Sequence, residues 1–352
     1  MFLLALTFSL AFLLSVYGVP IARRAALKYG MVDCPDGRLK HQQEPVPYLG
    51  GLALYVAFLV SLAVTFDFRQ DVLGIVLAGT LMVMLGLVDD FGVLSVGTKL
   101  AGQFLAIFVL IKSGIRIQIT AFPEWLDLIL TVVWMLGITN AFNLLDIMDG
   151  LAAGVGLVCT AFLLVVSILN DNTTIAFMVT ALAGSLLGFL RYNFHPARIY
   201  MGDCGALFLG MMVGALSMIG QYGGRHQVAL LTPLFILAVP IFDTLFVMYV
   251  RASRGLPILR GSPDHLALRL KRWGLGVPHI VTGMYVASGS LGAMGLVVMS
   301  VHEDLALACV GATAVSLLLT IPILKRLDRA ATLVPVSQPV PERARRMGGS
   351  QA

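Results

Sequence analysis

Asn140-Ala-Phe-Asn143-Leu-Leu-Asp146-Ile-Met-Asp149-Gly150 sets two amides and two carboxylates at every third position, with only apolar residues between them. Runs apolar enough to cross a bilayer flank the stretch, at about 126–144 and 151–169. A solvated charge run would carry polar residues in the gaps, so these acids stand at the ends of membrane spans. Neighbours three apart adjoin on a helix. At about 100° per residue, however, three such steps carry the stripe roughly half way round. The four groups share one face only if the helix tightens or ends, and Gly150 suits an ending. The drift predicts that Asp146 and Asp149 face different parts of a bound molecule, with Asn140 a structural group. A plain polar helix end is the bland alternative, and the apolar filler argues against it.

Composition extends the membrane reading to the whole chain. Of 352 residues, 58% are hydrophobic and 12% charged, and mean hydropathy is +0.91. A soluble protein carries about 25% charged residues. The 36 glycines fit closely packed spans. Cys34, Cys159, Cys204 and Cys309 are scattered without a Cys-x-x-Cys pair, which excludes a cysteine zinc site or a disulfide framework. Eleven candidate spans follow, at roughly 2–22, 48–66, 72–88, 98–112, 126–144, 151–169, 174–191, 205–221, 228–250, 278–300 and 304–324. The first lacks a basic leader and is followed by Arg23-Arg24, so it reads as an uncleaved span with its N-terminus outside.

That orientation puts all but four of the 24 basic residues on the cytoplasmic side, the exceptions being Arg69, Lys112, Arg116 and Arg225. The net charge of +5 is thus a matter of topology and not of nucleic-acid binding. The outer loop Gly114–Trp125 alternates as Ile115, Ile117, Ile119 and predicts a small β-hairpin. The chain reads as one transmembrane domain, 1–329, followed by a basic, Pro- and Ser-rich tail, 330–352, expected to be disordered.

The predicted inner face holds the remaining polar chemistry. Asp89-Asp90 ends the third span, and adjacent carboxylates repel, so one tends to face a cation or keep its proton. Met201-Gly202-Asp203-Cys204-Gly205 puts an aspartate between glycines that let backbone approach a ligand. Arg38, Lys40 and His41 stand in a proline-stiffened loop before Gly50-Gly51. Ser262-Pro263 predicts a helix start, with Leu266, Leu270 and Trp273 on one apolar stripe and Arg269 off it, ended by Gly274. This would be an interfacial helix. Asp243 falls inside the ninth span, where a carboxylate costs roughly 2.5–3.5 kcal/mol, either as a functional group or as the cap of a helix broken at Pro240. Taken singly, Met-Gly-Asp reads as a turn, and His265 and His195 as polar interface residues. Carboxylates from three separate loops fit Mg²⁺, which takes oxygen ligands and bridges to phosphates. The scarcity of His and Cys around them argues against zinc and copper.

Together, Asp89-Asp90, Asn140-x-x-Asn143-x-x-Asp146-x-x-Asp149-Gly and Met-Gly-Asp203-x-Gly resemble the polyprenyl-phosphate N-acetylhexosamine-1-phosphate transferases. Val32-Asp33-x-Pro35, Arg38, His41 and Pro47-x-x-Gly50-Gly51 resemble that family's first inner loop, and the likeness runs from about 32 to 275. The resemblance implies an all-α polytopic enzyme of the inner (plasma) membrane, with its active site and C-terminus on the cytoplasmic side. It would move a sugar-1-phosphate from a UDP-sugar to a polyprenyl phosphate in the bilayer, release UMP, and use Mg²⁺ with Mn²⁺ as a substitute.

By the same resemblance, Asp203 and Asp146 would hold the metal, and Asp89, Asp90, Asp146 and His265 would be catalytic. Lys40, His41, Asn143, Asp149 and Arg269 would bind substrate, and a homodimer would be the assembly. The family's His-x-His-His element here reads His265-Leu-Ala-Leu-Arg269, and one extra residue separates His41 from the prolines. The reduced His element and the eleven spans point to the branch that primes O-antigen, teichoic acid or other surface glycans, with the phospho-N-acetylmuramoyl-pentapeptide transferases as the near rival. A cation-coupled transporter is the rival of another class, but it would place the acids near the bilayer midplane.

Overall fold

A computed structural model describes residues 1–33, 45–68, 70–92, 94–120, 122–224, 226–257 and 262–331. Helices α1 (Phe2–Lys28), α2 (Gly50–Thr65), α3 (Gln70–Asp90), α4 (Val96–Lys112) and α5 (Glu124–Leu145) come first. They are followed by α6 (Leu151–Leu169), α7 (Thr173–Asn193), α8 (Gly202–Met218), α9 (Thr232–Ile236) and α10 (Ala238–Ala252). The last are α11 (Leu266–Arg272), α12 (Val277–Ser300) and α13 (Glu303–Ala331). Among the described residues, eight helices are long and apolar enough to cross a membrane, and the bent pair Gln227–Ile236 and α10 brings the number to nine if it is counted as one span. The other two expected spans are α2, with 16 residues, and α4, with 17, both short of the roughly 20 that a bilayer asks of a straight helix. The chain is a polytopic membrane protein built almost wholly of helices. It divides into a unit Met1–Gly311 and a second unit Ala312–Ala352; most of the tail expected to be disordered lies outside the described residues.

Helix α8 is the centre of the first unit, with every residue from Cys204 to Ser217 buried. In a bilayer helices gain little from expelling water, so they associate through close packing at small residues. That is what surrounds α8. A Cβ on Gly51 of α2 would overlap the backbone of Gly205, and one on Gly86 of α3 the backbone of Asp203 and Cys204. From α8 itself, a Cβ on Gly210 would come within 2.7 Å of the Thr139 Cα of α5. Three helices thus touch α8 backbone to backbone, and two of them end at its N-terminus. Helices α1 and α7 run in parallel, joined by Ser15 Oγ to Ser185 O at 2.8 Å and by Tyr192 OH to Val16 O at 3.0 Å.

Strands β1 (Val32–Asp33) and β2 (Val46–Pro47) pair antiparallel between α1 and α2. Tyr48 continues this as a parallel bridge to Tyr200. Backbone bonds from Tyr200 N to Pro47 O (2.9 Å), Gly50 N to Tyr200 O and Gly51 N to Met201 O (both 3.0 Å) stitch this loop to the segment entering α8.

Three local expectations are corrected, and one open alternative is decided. The stripe helix α5 ends at Leu145, before Gly150, with Asp146 as its C-cap, and Gly150 instead starts α6 at φ +76°. The ninth span, 228–250, is broken, as the Pro240 alternative allowed: Gln227–Ile236 and α10 meet at a 75° bend, where Pro240 lacks an N–H and its ring crowds the carbonyl four residues back. No strand forms among the described residues of 114–125. Its amides go to side chains of α5: Ile117 N to Thr131 Oγ1 at 2.9 Å and Ile119 N to the Asp127 carboxylate at 3.3 Å. Finally, α11 begins at Leu266 and not at Ser262, whose hydroxyl is taken up by Asp264, and Arg269 is fully buried.

Candidate active site at the N-terminus of α8

The ends of α3, α4, α5 and α8 meet around one ammonium group. Ser95 caps α4 by accepting from Thr98 N at 3.2 Å, which puts Lys99 in the first turn. Its Nζ lies 2.6 Å from Asp89 Oδ2, 2.5 Å from Asp203 Oδ2 and 3.1 Å from Asn143 Oδ1. Asn143 Nδ2 donates to the other Asp203 oxygen at 2.9 Å. The Asp203 side chain is 36% exposed against 15% for Asp89, so Asp203 forms the open side of this cluster.

Asp90 has turned away from its neighbour. Its Oδ1 accepts from Asp203 N at 2.7 Å and its Oδ2 from Cys204 N at 3.2 Å. A carboxylate at a helix N-terminus satisfies free amides and meets the positive end of the helix dipole. Gly202, at φ +69°, must be glycine, since a Cβ there would lie 2.7 Å from the Asp90 carboxylate. Asp90 therefore positions Asp203.

The loop Asp146–Gly150 carries the other two acids. Burial pushes the Asp146 carboxyl up to about 8, and the charges of Asp203, Asp90 and Asp149 add to the effect. Asp149 Oδ2 accepts from His195 Nδ1 at 2.7 Å and from Ala197 N at 3.1 Å, fastening the loop between α7 and α8. Gly150 is held by Asn193, which accepts from its N–H at 3.1 Å, and by Tyr285, whose hydroxyl donates to its carbonyl at 2.5 Å. Burial, then the charges of Asp149, Asp33 and Asp146, push the Tyr200 phenol up to about 12. Asn140 makes a reciprocal amide pair with Gln103, at 2.8 and 3.1 Å.

His265 and Arg269 belong to a buried network between α10 and α11. Asp243, 2% exposed, accepts from His265 Nδ1 at 2.7 Å and from Leu266 N at 2.8 Å, so it caps α11 from across the interface. Arg269 donates to Asp264 O and Oδ1 at 2.8 and 2.9 Å, and its guanidinium lies 5.0 Å over the Phe246 ring. Burial acts to raise the Asp264 carboxyl, but the Ser262 hydrogen bond and the charges of Arg254, Arg269 and Arg272 outweigh it and hold it below the usual range. Lys40, His41 and Arg38 lie outside the described residues. In the sequence Lys99 reads only as one basic residue among many, and its one local signal is a place in the first turn of the helix that follows Asp89-Asp90.

The donor chemistry fits a hard divalent cation. Asp89 Oδ2, Asp203 Oδ2 and Asn143 Oδ1 converge on the point where Lys99 Nζ stands, and Mg²⁺ takes oxygen ligands of this kind. Among the described residues no three His, Cys, Asp or Glu side chains close on a single point; here two carboxylates and an amide do.

The Glycosyl transferase family 4 model matches residues 72–221, from α3 to just beyond α8. The chain is 34% identical to a probable undecaprenyl-phosphate N-acetylglucosaminyl 1-phosphate transferase of Bacillus subtilis, over 75% of this chain and 77% of that one. It is 31% identical to the decaprenyl-phosphate N-acetylglucosaminephosphotransferase of Mycolicibacterium smegmatis, over 92% and 89% of the two chains. A phospho-N-acetylmuramoyl-pentapeptide-transferase of Halalkalibacterium halodurans is 31% identical over 77% of this chain and 89% of its own. Similarity of this extent, centred on the helices that build the carboxylate cluster, establishes that the chain belongs to glycosyl transferase family 4.

Proposed function

We propose that the protein transfers a sugar-1-phosphate, as N-acetylhexosamine 1-phosphate, from a UDP-sugar to polyprenyl phosphate, releasing UMP to prime a cell-surface glycan. The observation that carries the reading is the convergence of Asp89, Asp203 and Asn143 on one cation position at the ends of membrane helices. A phosphate attacking a diphosphate brings several negative charges together, so catalysis is mainly positioning and charge neutralisation. Bound by Asp89, Asp203 and Asn143, with Asp146 beside them, Mg²⁺ (or Mn²⁺) would neutralise donor diphosphate oxygens. Lys99 is the adjacent protein cation. Asp90 and Gly202 hold the first turn of α8 in register, and Asp149 holds the His195–Ala197 loop beside the Tyr200 ring. The acceptor's isoprenoid tail stays in the bilayer while its phosphate reaches the helix ends.

The distribution of basic residues supports eleven crossings, an outside N-terminus and a cytoplasmic site in the plasma membrane. The relatives named for N-acetylglucosamine favour that donor; the pentapeptide transferase relative supports the second reading, a muramoyl-pentapeptide donor. Purified protein given polyprenyl phosphate, Mg²⁺ and each UDP-sugar in turn separates them by UMP release. UMP with UDP-N-acetylglucosamine is the expected result, and no UMP with any donor would overturn the reading.

A further inference from the structure

We propose that Lys99 is an exchangeable occupant of the metal position: its ammonium holds Asp89 and Asp203 together, leaves when a divalent cation enters, and then binds a donor diphosphate oxygen. The argument begins with distances. Lys99 Nζ lies 2.6 and 2.5 Å from one oxygen each of Asp89 and Asp203, and 3.1 Å from Asn143 Oδ1. Those oxygens are the ones that converge, so an ammonium and a divalent cation cannot both stand there.

The surroundings allow the exchange. Lys99 sits in the first turn of α4, beyond the Ser95 cap and after the Gly92 turn at φ +70°. Its side chain is 18% exposed, and its partner Asp203 opens to the outside at 36%. A four-carbon stem with a mobile head reaches a new partner without moving the helix. Asp90, by contrast, is committed to the Asp203 and Cys204 amides, so the carboxylate frame stays in place while the cation changes. A displaced ammonium beside the metal is placed for the second charge of a diphosphate.

The diphosphate half of this proposal rests on the transferase reading; the metal half does not. The test uses the full chain in lipid nanodiscs and needs no turnover. Lys99 acetylation by an amine-reactive ester is read by mass spectrometry, with exposed Lys112 at the far end of α4 as the internal standard. Saturating Mg²⁺ is expected to raise Lys99 modification roughly fivefold relative to Lys112, and UDP added with Mg²⁺ to suppress it again. In Mn²⁺ titrations followed by electron paramagnetic resonance, Lys99→Gln is expected to bind Mn²⁺ at least about fivefold more tightly than wild type. Unchanged or reduced Lys99 modification under Mg²⁺, or equal or weaker Mn²⁺ binding by Lys99→Gln, would overturn the exchange. Lys99 modification that stays raised when UDP is added with Mg²⁺ would remove the diphosphate step. Absence of UMP release with metal-driven exposure intact would sink the transferase reading and leave the exchange standing.

Discussion

At Asp90 both carboxylate oxygens are taken by the amides of Asp203 and Cys204, while Asp89 beside it turns to Lys99. The two acids therefore predict different failures. Asp90→Ala removes the cap of α8 and is expected to lower stability by about 1–2 kcal/mol, read as a fall in thermal midpoint in detergent. Asp203→Asn keeps the backbone contacts and removes charge at the open side of the cluster. It is expected to cut UMP release at least about tenfold, or about 1.4 kcal/mol of barrier, with little change in midpoint. Asp146 gives a pH prediction. Its carboxyl is raised from 3.8 to about 8, so the folded protein keeps this proton across the range between, and a cation bound beside it must displace it. Metal affinity should weaken by up to tenfold per unit as pH falls below about 8, and Asp146→Asn should flatten that slope in Mn²⁺ titrations at pH 6, 7 and 8. The acids themselves were legible from their spacing and their apolar neighbours. That Asp90 is a cap, that Asp149 fastens the His195 loop, and that Lys99 is the shared counter-ion were not. Each depends on a partner about 10 to 110 residues away that the helix packing brings near.

Among the helices, glycines let α2, α3 and α5 touch α8. Gly86→Val would drive a side chain into the backbone of Asp203 and Cys204. Overpacking of this kind costs about 1–3 kcal/mol and here would also displace Asp203, so both midpoint and turnover should fall. Gly137→Ala on α5, where a Cβ meets nothing within 4 Å, should leave both unchanged or raise the midpoint slightly. Wild-type behaviour of Gly86→Val would contradict the close α3–α8 packing. Most helices were readable because long apolar runs bounded by charge or proline have few other outcomes in a bilayer. Two of the exceptions share a cause: a side chain took the place of a backbone partner or a cap. Thr131 and Asp127 replace the expected hairpin partner at Ile117 and Ile119. Asp243, reaching across from α10, fixes where α11 begins.

For the whole molecule, the lopsided basic residues predict a topology that labelling checks directly. Ser113→Cys should react with a membrane-impermeant maleimide on intact cells, and Arg272→Cys should react only after permeabilisation; the reverse pattern would invert the orientation. The central claim is that carboxylates gathered at the head of α8 transfer a sugar-1-phosphate to a lipid phosphate. The most direct test gives purified protein UDP-N-acetylglucosamine, polyprenyl phosphate and Mg²⁺, and follows UMP together with the lipid product. The account predicts equal amounts of UMP and sugar-diphosphate lipid, both dependent on metal and both lost in Asp203→Asn. UMP absent with every UDP-sugar donor, or turnover unaffected by Asp203→Asn, would contradict it.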